Sequence, residues 1–245
     1  MIKTEIKMNI EKHLKMLRLN GMEQHWKAMK ETRQHGTLSF EQGLEMLLQS
    51  EIDDRDSKRY DRLKKNAAFR YQASIEEINM DPLRGIDHTL ITDLATGGYI
   101  EKAEPIIITG AAGCGKSFMA SAFGLKACAQ GKRVAYYNLQ KLLQRSKMAR
   151  LEGSLQKLMD RLAKTDLLIL DDFGIVRLEQ QQRLDLMEIF EDRHGRKATI
   201  IASQLPVANW YDIIGEDTIA DAILDRIVHV SHRIELKGES LRKKR

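Results

Sequence analysis

The stretch that most limits what this chain can fold into is Gly110-Ala111-Ala112-Gly113-Cys114-Gly115-Lys116-Ser117, a complete GxxxxGK[ST] pattern standing directly after the apolar run Ile106-Ile107-Ile108-Thr109. Glycines in these places let backbone N–H groups close around phosphate oxygens. The lysine then reaches the β- and γ-phosphates, and the serine hydroxyl ligates Mg²⁺ at the start of the helix predicted over Phe118 to Gln130. Strand, glycine loop and helix in that order predict a nucleoside-triphosphate site in an α/β domain. Its expected binding positions are Gly110, Ala111, Ala112, Gly113, Cys114, Gly115, Lys116, Ser117 and Phe118, with Lys116 also acting on the reacting phosphates. Cys114 lies near a helix N-terminus, where a thiolate is favoured. No His or Asn accompanies it, so it reads as a small residue tolerated in the loop.

Further short apolar runs follow at Val134–Tyr137, Leu167–Leu170, Ala198–Ala202 and Val228–Leu236, separated by longer helical patterns. This alternation predicts five strands of one parallel sheet. The third run ends in Asp171-Asp172, where Asp171 is suited to hold the metal through water and Asp172 to polarise an attacking water. The fourth ends in Ser203-Gln204, at the carboxyl edge where open α/β sheets bind ligands, and an amide there can orient the same water. A base-reading NKxD segment is missing, which argues against a GTPase. A separate helical module argues against a small-molecule kinase. An ATP-driven motor or switch remains, with ATP and Mg²⁺ as cofactors.

Residues 9–70 carry helical periodicity: Ile10, Leu14 and Leu17 in one helix, Met22, Trp26 and Met29 in a second after an Asn20-Gly21 turn, and a third opened by the capping box Ser39-Phe40-Glu41-Gln42. Farther on, Arg55, Lys58, Arg59, Arg62 and Lys65 recur at helical spacing and align on one face. Such a stripe suits phosphate, although Asp53, Asp54, Asp56 and Asp61 equally make it a solvated, partly neutralised surface. Charge is also blocked at longer range, +7 over residues 132–164 and −8 over 165–225. Lys141, Arg145, Lys147 and Arg150 in the basic block are further candidates for DNA. No apolar run approaches the ~20 residues of a membrane span, and the charged N-terminus lacks the apolar core of a signal peptide. These features, with only two cysteines, predict a cytoplasmic chain without membrane partners. The expected organisation is a helical N-terminal DNA-binding or oligomerisation module over 1–70, a linker over 71–104, and an ATPase core with a short C-terminal lid over 105–245.

Taken together, the residues resemble the AAA+ ATPases, and within them the IstB insertion-sequence ATP-binding proteins and the related DnaC helicase loaders. The resemblance rests on the basic Arg55-to-Arg70 stretch, the glycine loop, Leu-Leu-Ile-Leu-Asp-Asp-Phe-Gly at 167–174, Ile-Ala-Ser-Gln-Leu-Pro at 201–206 with Trp210-Tyr211 beyond it, Ile-Leu-Asp-Arg-Ile-Val-His at 223–229, and Gly-Glu-Ser-Leu-Arg-Lys-Lys at 238–244. It implies an AAA+ core with a five-stranded parallel sheet and a homo-oligomer formed through the ATP site on duplex DNA. It also implies a helper role toward a DDE transposase, a helicase loader of the DnaC type being the alternative. Ser203 and Gln204 would cover the sensor-1 position, with Gln204 the favoured sensor; Arg226 would be the arginine finger and Arg242 a sensor-2 arginine. Asp172 stands where the broad AAA+ pattern has Glu, one methylene longer, which implies slow hydrolysis.

Overall fold

The computed structural model describes residues 10–33 and 36–241. The chain divides between Arg62 and Leu63 into two compact units.

The first unit contains α1 (residues 10–16), α2 (Asn20–Glu31) and most of α3 (Phe40–Ala67). The break between α1 and α2 falls at Arg18, whose φ is +58°, rather than at Asn20-Gly21, which belong to the first turn of α2. A carboxylate from α3 makes this possible: Glu51 Oε2 accepts from the N–H groups of Gly21 at 2.9 Å and Met22 at 3.3 Å, satisfying donors that every helix start leaves open. The capping box of α3 forms as expected, with Ser39 N–H on Gln42 Oε1 at 3.0 Å and Gln42 N–H on Ser39 Oγ at 3.2 Å.

The second unit is built on five parallel strands, β1 (Ile106–Gly110), β2 (Val134–Asn138), β3 (Leu167–Phe173), β4 (Ala198–Ser203) and β5 (His232–Leu236), in the order β2-β3-β4-β1-β5. The inner strands are buried on both faces, which is why they read as unbroken apolar runs. Side chains alternate: Ile107, Leu168, Leu170 and Ile201 join one core with α7 (Leu139–Leu151), α8 (Leu155–Ala163), α9 (Gln180–Arg193), α10 (Trp210–Ile214) and α11 (Asp217–Val228). On the other face, α6 (Lys116–Ala129) packs against β1 to β4.

Two strand boundaries differ from expectation by more than one residue. Val228 ends α11, because Ala220, Ile223 and Ile227 repeat at helical spacing and carry it into the helix period. β3 runs past the apolar run through both aspartates, with a bulge between Leu170 and Phe173 and a φ of +60° at Asp172. Residues 71–104, expected as a linker, pack into the second unit as α4 (His88–Ala95) and α5 (Gly98–Glu101), with Ile91, Leu94, Tyr99 and Ile100 buried. Asp87 caps α4 through Thr89 N–H at 2.8 Å. Among the described residues, no helix is long and apolar enough to cross a membrane.

Trp210 ties the end of β4 to the core. Its indole N–H donates to Leu205 O at 3.1 Å and its ring lies 4.4 Å from that of Phe173, fully buried. Trp210→Ala is expected to remove about 3–5 kcal/mol of stability in urea unfolding. A loss below about 1 kcal/mol would mean that the site collapses without the ring.

Candidate functional site

Parallel pairing brings the carboxyl ends of all five strands to one edge. Gly110 is in register with Leu236, Asn138 with Asp171, and Thr109 with Ser203. Past that edge the loop after β1 turns into α6, with Gly115 in the left-handed region (φ +104°) as its N-cap. Gly110 has φ +145° and a Cβ there would lie 2.3 Å from Leu236 O; at Gly113, φ is +82° and a Cβ would lie 2.1 Å from Ser240 Oγ. Neither position admits a side chain, so the loop backbone stays bare.

Beside the loop is a cavity of about 670 Å³, in the range that holds a nucleotide-sized ligand. Residues 112–119 line one side, with Arg70, Tyr71, Arg84, Asp172 and Gln204 around the rest. Lys116 is buried and its ammonium donates to Ala111 O at 2.8 Å. Ser117 Oγ donates to Asp171 Oδ1 at 3.0 Å, so the loop hydroxyl and the first aspartate meet 54 residues apart in sequence. Asp171 is buried, and its Oδ2 also accepts from the Tyr136 hydroxyl. Burial, and after it the charge of Asp171, pushes the Tyr136 phenol well up, so the tyrosine stays a donor.

Asp172 Oδ2 accepts from Asn138 Nδ2 at 2.8 Å. Its left-handed backbone sits where a non-glycine residue is strained. Arg70 Nη1 stands between the two acids, 3.4 Å from Asp171 Oδ2 and 3.3 Å from Asp172 Oδ2. A hydroxyl, a buried carboxylate and a second, more open carboxylate next to a bare loop and a lysine form a donor set that fits a triphosphate with a hard divalent cation.

The other expected residues are distributed as follows. Gln204 is exposed and lines the cavity, whereas the Ser203 hydroxyl is committed to backbone, donating to Phe173 O at 2.9 Å and accepting from Leu205 N–H at 3.0 Å. Arg226 is outside this cavity. It pairs with Glu191 and donates to Ala222 O at 2.7 Å. Arg242 lies outside the described residues, but the chain just before it reaches the loop, with Leu241 N–H on Gly113 O at 3.0 Å.

Of the candidate DNA contacts, Arg55 pairs with Glu51 at 2.8 Å and Lys58 with Asp54 at 2.6 Å on the same helix. Arg150 is held by buried Asp185. Arg59, Arg62, Lys65, Lys141, Arg145 and Lys147 are exposed. Part of the long-range charge blocking is therefore internal neutralisation, and Arg133 and Lys197 add to it by meeting on Asp166.

Four residues at the site were not read from the sequence: Arg70, Arg84, Tyr136 and Asn138. Arg84 donates to Cys114 O, bringing a third cation beside Lys116 and Arg70. Asn138 had a signal, a polar residue closing an apolar strand at the ligand edge, the same logic that singled out Ser203-Gln204.

The model of the IstB-like ATP binding protein family matches residues 12–245. Protein y4pL of Sinorhizobium fredii, named for an insertion sequence and for ATP binding, is 40% identical over 94% of this chain and 94% of its own. Among solved structures, the DnaC helicase loader aligns with a TM-score of 0.52 at 21% identity over 66% of this chain and 98% of its own. AMPPCP-bound DnaA from Aquifex aeolicus aligns with a TM-score of 0.56 at 20% identity over 71% of this chain and 53% of that one. At such identities the two structures establish likeness of fold.

Proposed function

This chain belongs to the family of IstB-like ATP-binding proteins, and on that premise we propose that it is an ATP hydrolase that assembles as a homo-oligomer on duplex DNA, with little regard to sequence, and assists a DDE transposase. The observation that carries the ATPase part is the meeting of Lys116, Ser117, Asp171 and Asp172 at one strand edge beside a nucleotide-sized cavity. Lys116 and the loop N–H groups bind the phosphates. Ser117 and Asp171 are the residues that would hold Mg²⁺, which when bound neutralises charge on the β- and γ-phosphate oxygens. Asp172, steadied by Asn138, accepts the proton of the attacking water, and Gln204 orients that water. Strained Asp172 and its missing methylene relative to Glu make hydrolysis slow.

The DNA part is supported by exposed cations on α3 and α7 and by the insertion-sequence relatives. Few of the candidate residues are suited to reading base edges, so binding follows phosphate charge. Arg62 and Lys65 are the cleanest probes, because no ion pair to either is formed among the described residues. Reversing both to Glu should weaken duplex binding alike for unrelated sequences. It should also flatten the salt dependence, by about 0.9 in log K against log salt for each phosphate no longer neutralised. Fluorescence polarisation across salt, with ATP binding as the control, checks this. Unchanged DNA affinity together with abolished binding to a replicative helicase would replace the transposase reading with that of a loader.

A further inference from the structure

We propose that Arg70 is the internal counter-ion of the acidic pair, a positioning residue that sets how much divalent cation is needed before nucleotide is held; this rests on the nucleotide reading above. Two consecutive carboxylates at a half-covered strand edge repel one another unless a cation stands beside them. Lys116 does not supply the charge, since its ammonium is turned onto Ala111 O. Arg70 does, and among the described residues the ion pairs of Asp171 and Asp172 are those with Arg70.

The pairing is built to be released. One nitrogen serves both acids at 3.3 and 3.4 Å, without the paired, fork-like geometry of a strong arginine–carboxylate bond. The Arg70 side chain is 43% exposed, and its guanidinium carbon already lies 5.6 Å from the Tyr71 ring centroid, a face that keeps a cation when the carboxylates are taken. The division of oxygens fits exchange. Ser117 holds Oδ1 of Asp171, whereas Arg70 holds Oδ2 and reaches across to Asp172. A divalent cation requires carboxylate oxygens of this same pair. A guanidinium a few ångströms away is a like charge, so occupancy by one opposes the other.

Arg70→Gln removes the charge and keeps a donor; Arg70→Met removes the charge and keeps an unbranched chain. Two readouts apply: polarisation of a fluorescent ATP analogue titrated with Mg²⁺, and the thermal midpoint in EDTA and in Mn²⁺ without nucleotide. The Gln variant should reach half-maximal nucleotide binding at roughly tenfold lower Mg²⁺. Its midpoint should fall below that of the unmodified chain in EDTA and rise further than it on adding Mn²⁺. An equal Mg²⁺ requirement overturns the proposal. A higher requirement also overturns it and assigns Arg70 to phosphate binding. Should the Gln variant not fold, the Met variant decides: a lowered Mg²⁺ requirement supports the proposal and an unchanged or raised one overturns it. If the unmodified chain binds no nucleotide at any Mg²⁺, the nucleotide reading fails, while the Mn²⁺ comparison of midpoints still tests Arg70.

Discussion

Lys116→Ala is expected to lower nucleotide affinity roughly 10- to 100-fold, by removing a charge-assisted hydrogen bond to phosphate, and to reduce turnover by about a further 10²–10³. The fold should survive. Lys116 is buried, yet the oxygen its ammonium meets is the carbonyl of Ala111 in the same loop, so truncation costs about 1 kcal/mol or little more. Titration with a fluorescent ATP analogue, set beside urea unfolding, separates the two effects. Intact binding with a melted fold would make the lysine a structural residue.

Arg226→Ala carries the second large effect. Nucleotide binding should be unchanged, because Arg226 is not among the residues lining its own chain's cavity, while turnover should fall about 10³-fold if the guanidinium completes a neighbour's site. Its pairing with Glu191 and Ala222 O holds it away from any phosphate of its own subunit. Mixing Arg226→Ala with Lys116→Ala subunits should restore part of the turnover, since an intact finger then faces an intact pocket. No recovery at any ratio would place Arg226 within its own subunit as a partner of Glu191 and nothing more.

The sheet was legible in the sequence for a physical reason. A parallel strand covered on both faces must be apolar throughout, so Ile106–Ile108, Leu167–Leu170 and Ala198–Ala202 announce themselves without knowledge of their neighbours. The glycine loop was equally legible, because bare backbone at a helix start leaves a local mark in residue type. Helix limits set by remote partners were less so. The start of α2 depends on Glu51, which is 30 residues away, and the ordering of residues 71–104 comes with burial of Ile91, Leu94 and Tyr99, the last with its ring edge-on to Phe123 of α6.

Residue type and spacing alone therefore determined the α/β class, the glycine loop with Lys116 and Ser117, and the acidic pair, since each rests on chemistry local to a few consecutive residues. Tertiary structure alone decided that Ser117 meets Asp171 and that Asn138 holds Asp172. It likewise decided that Arg70 stands between the two acids, that the Ser203 hydroxyl is spent on backbone, and that Arg150 is taken up by Asp185. Those outcomes turn on strand order and register, which bring residues 30 to more than 100 positions apart within hydrogen-bonding distance, and no periodicity along the chain encodes which of several like charges will arrive there.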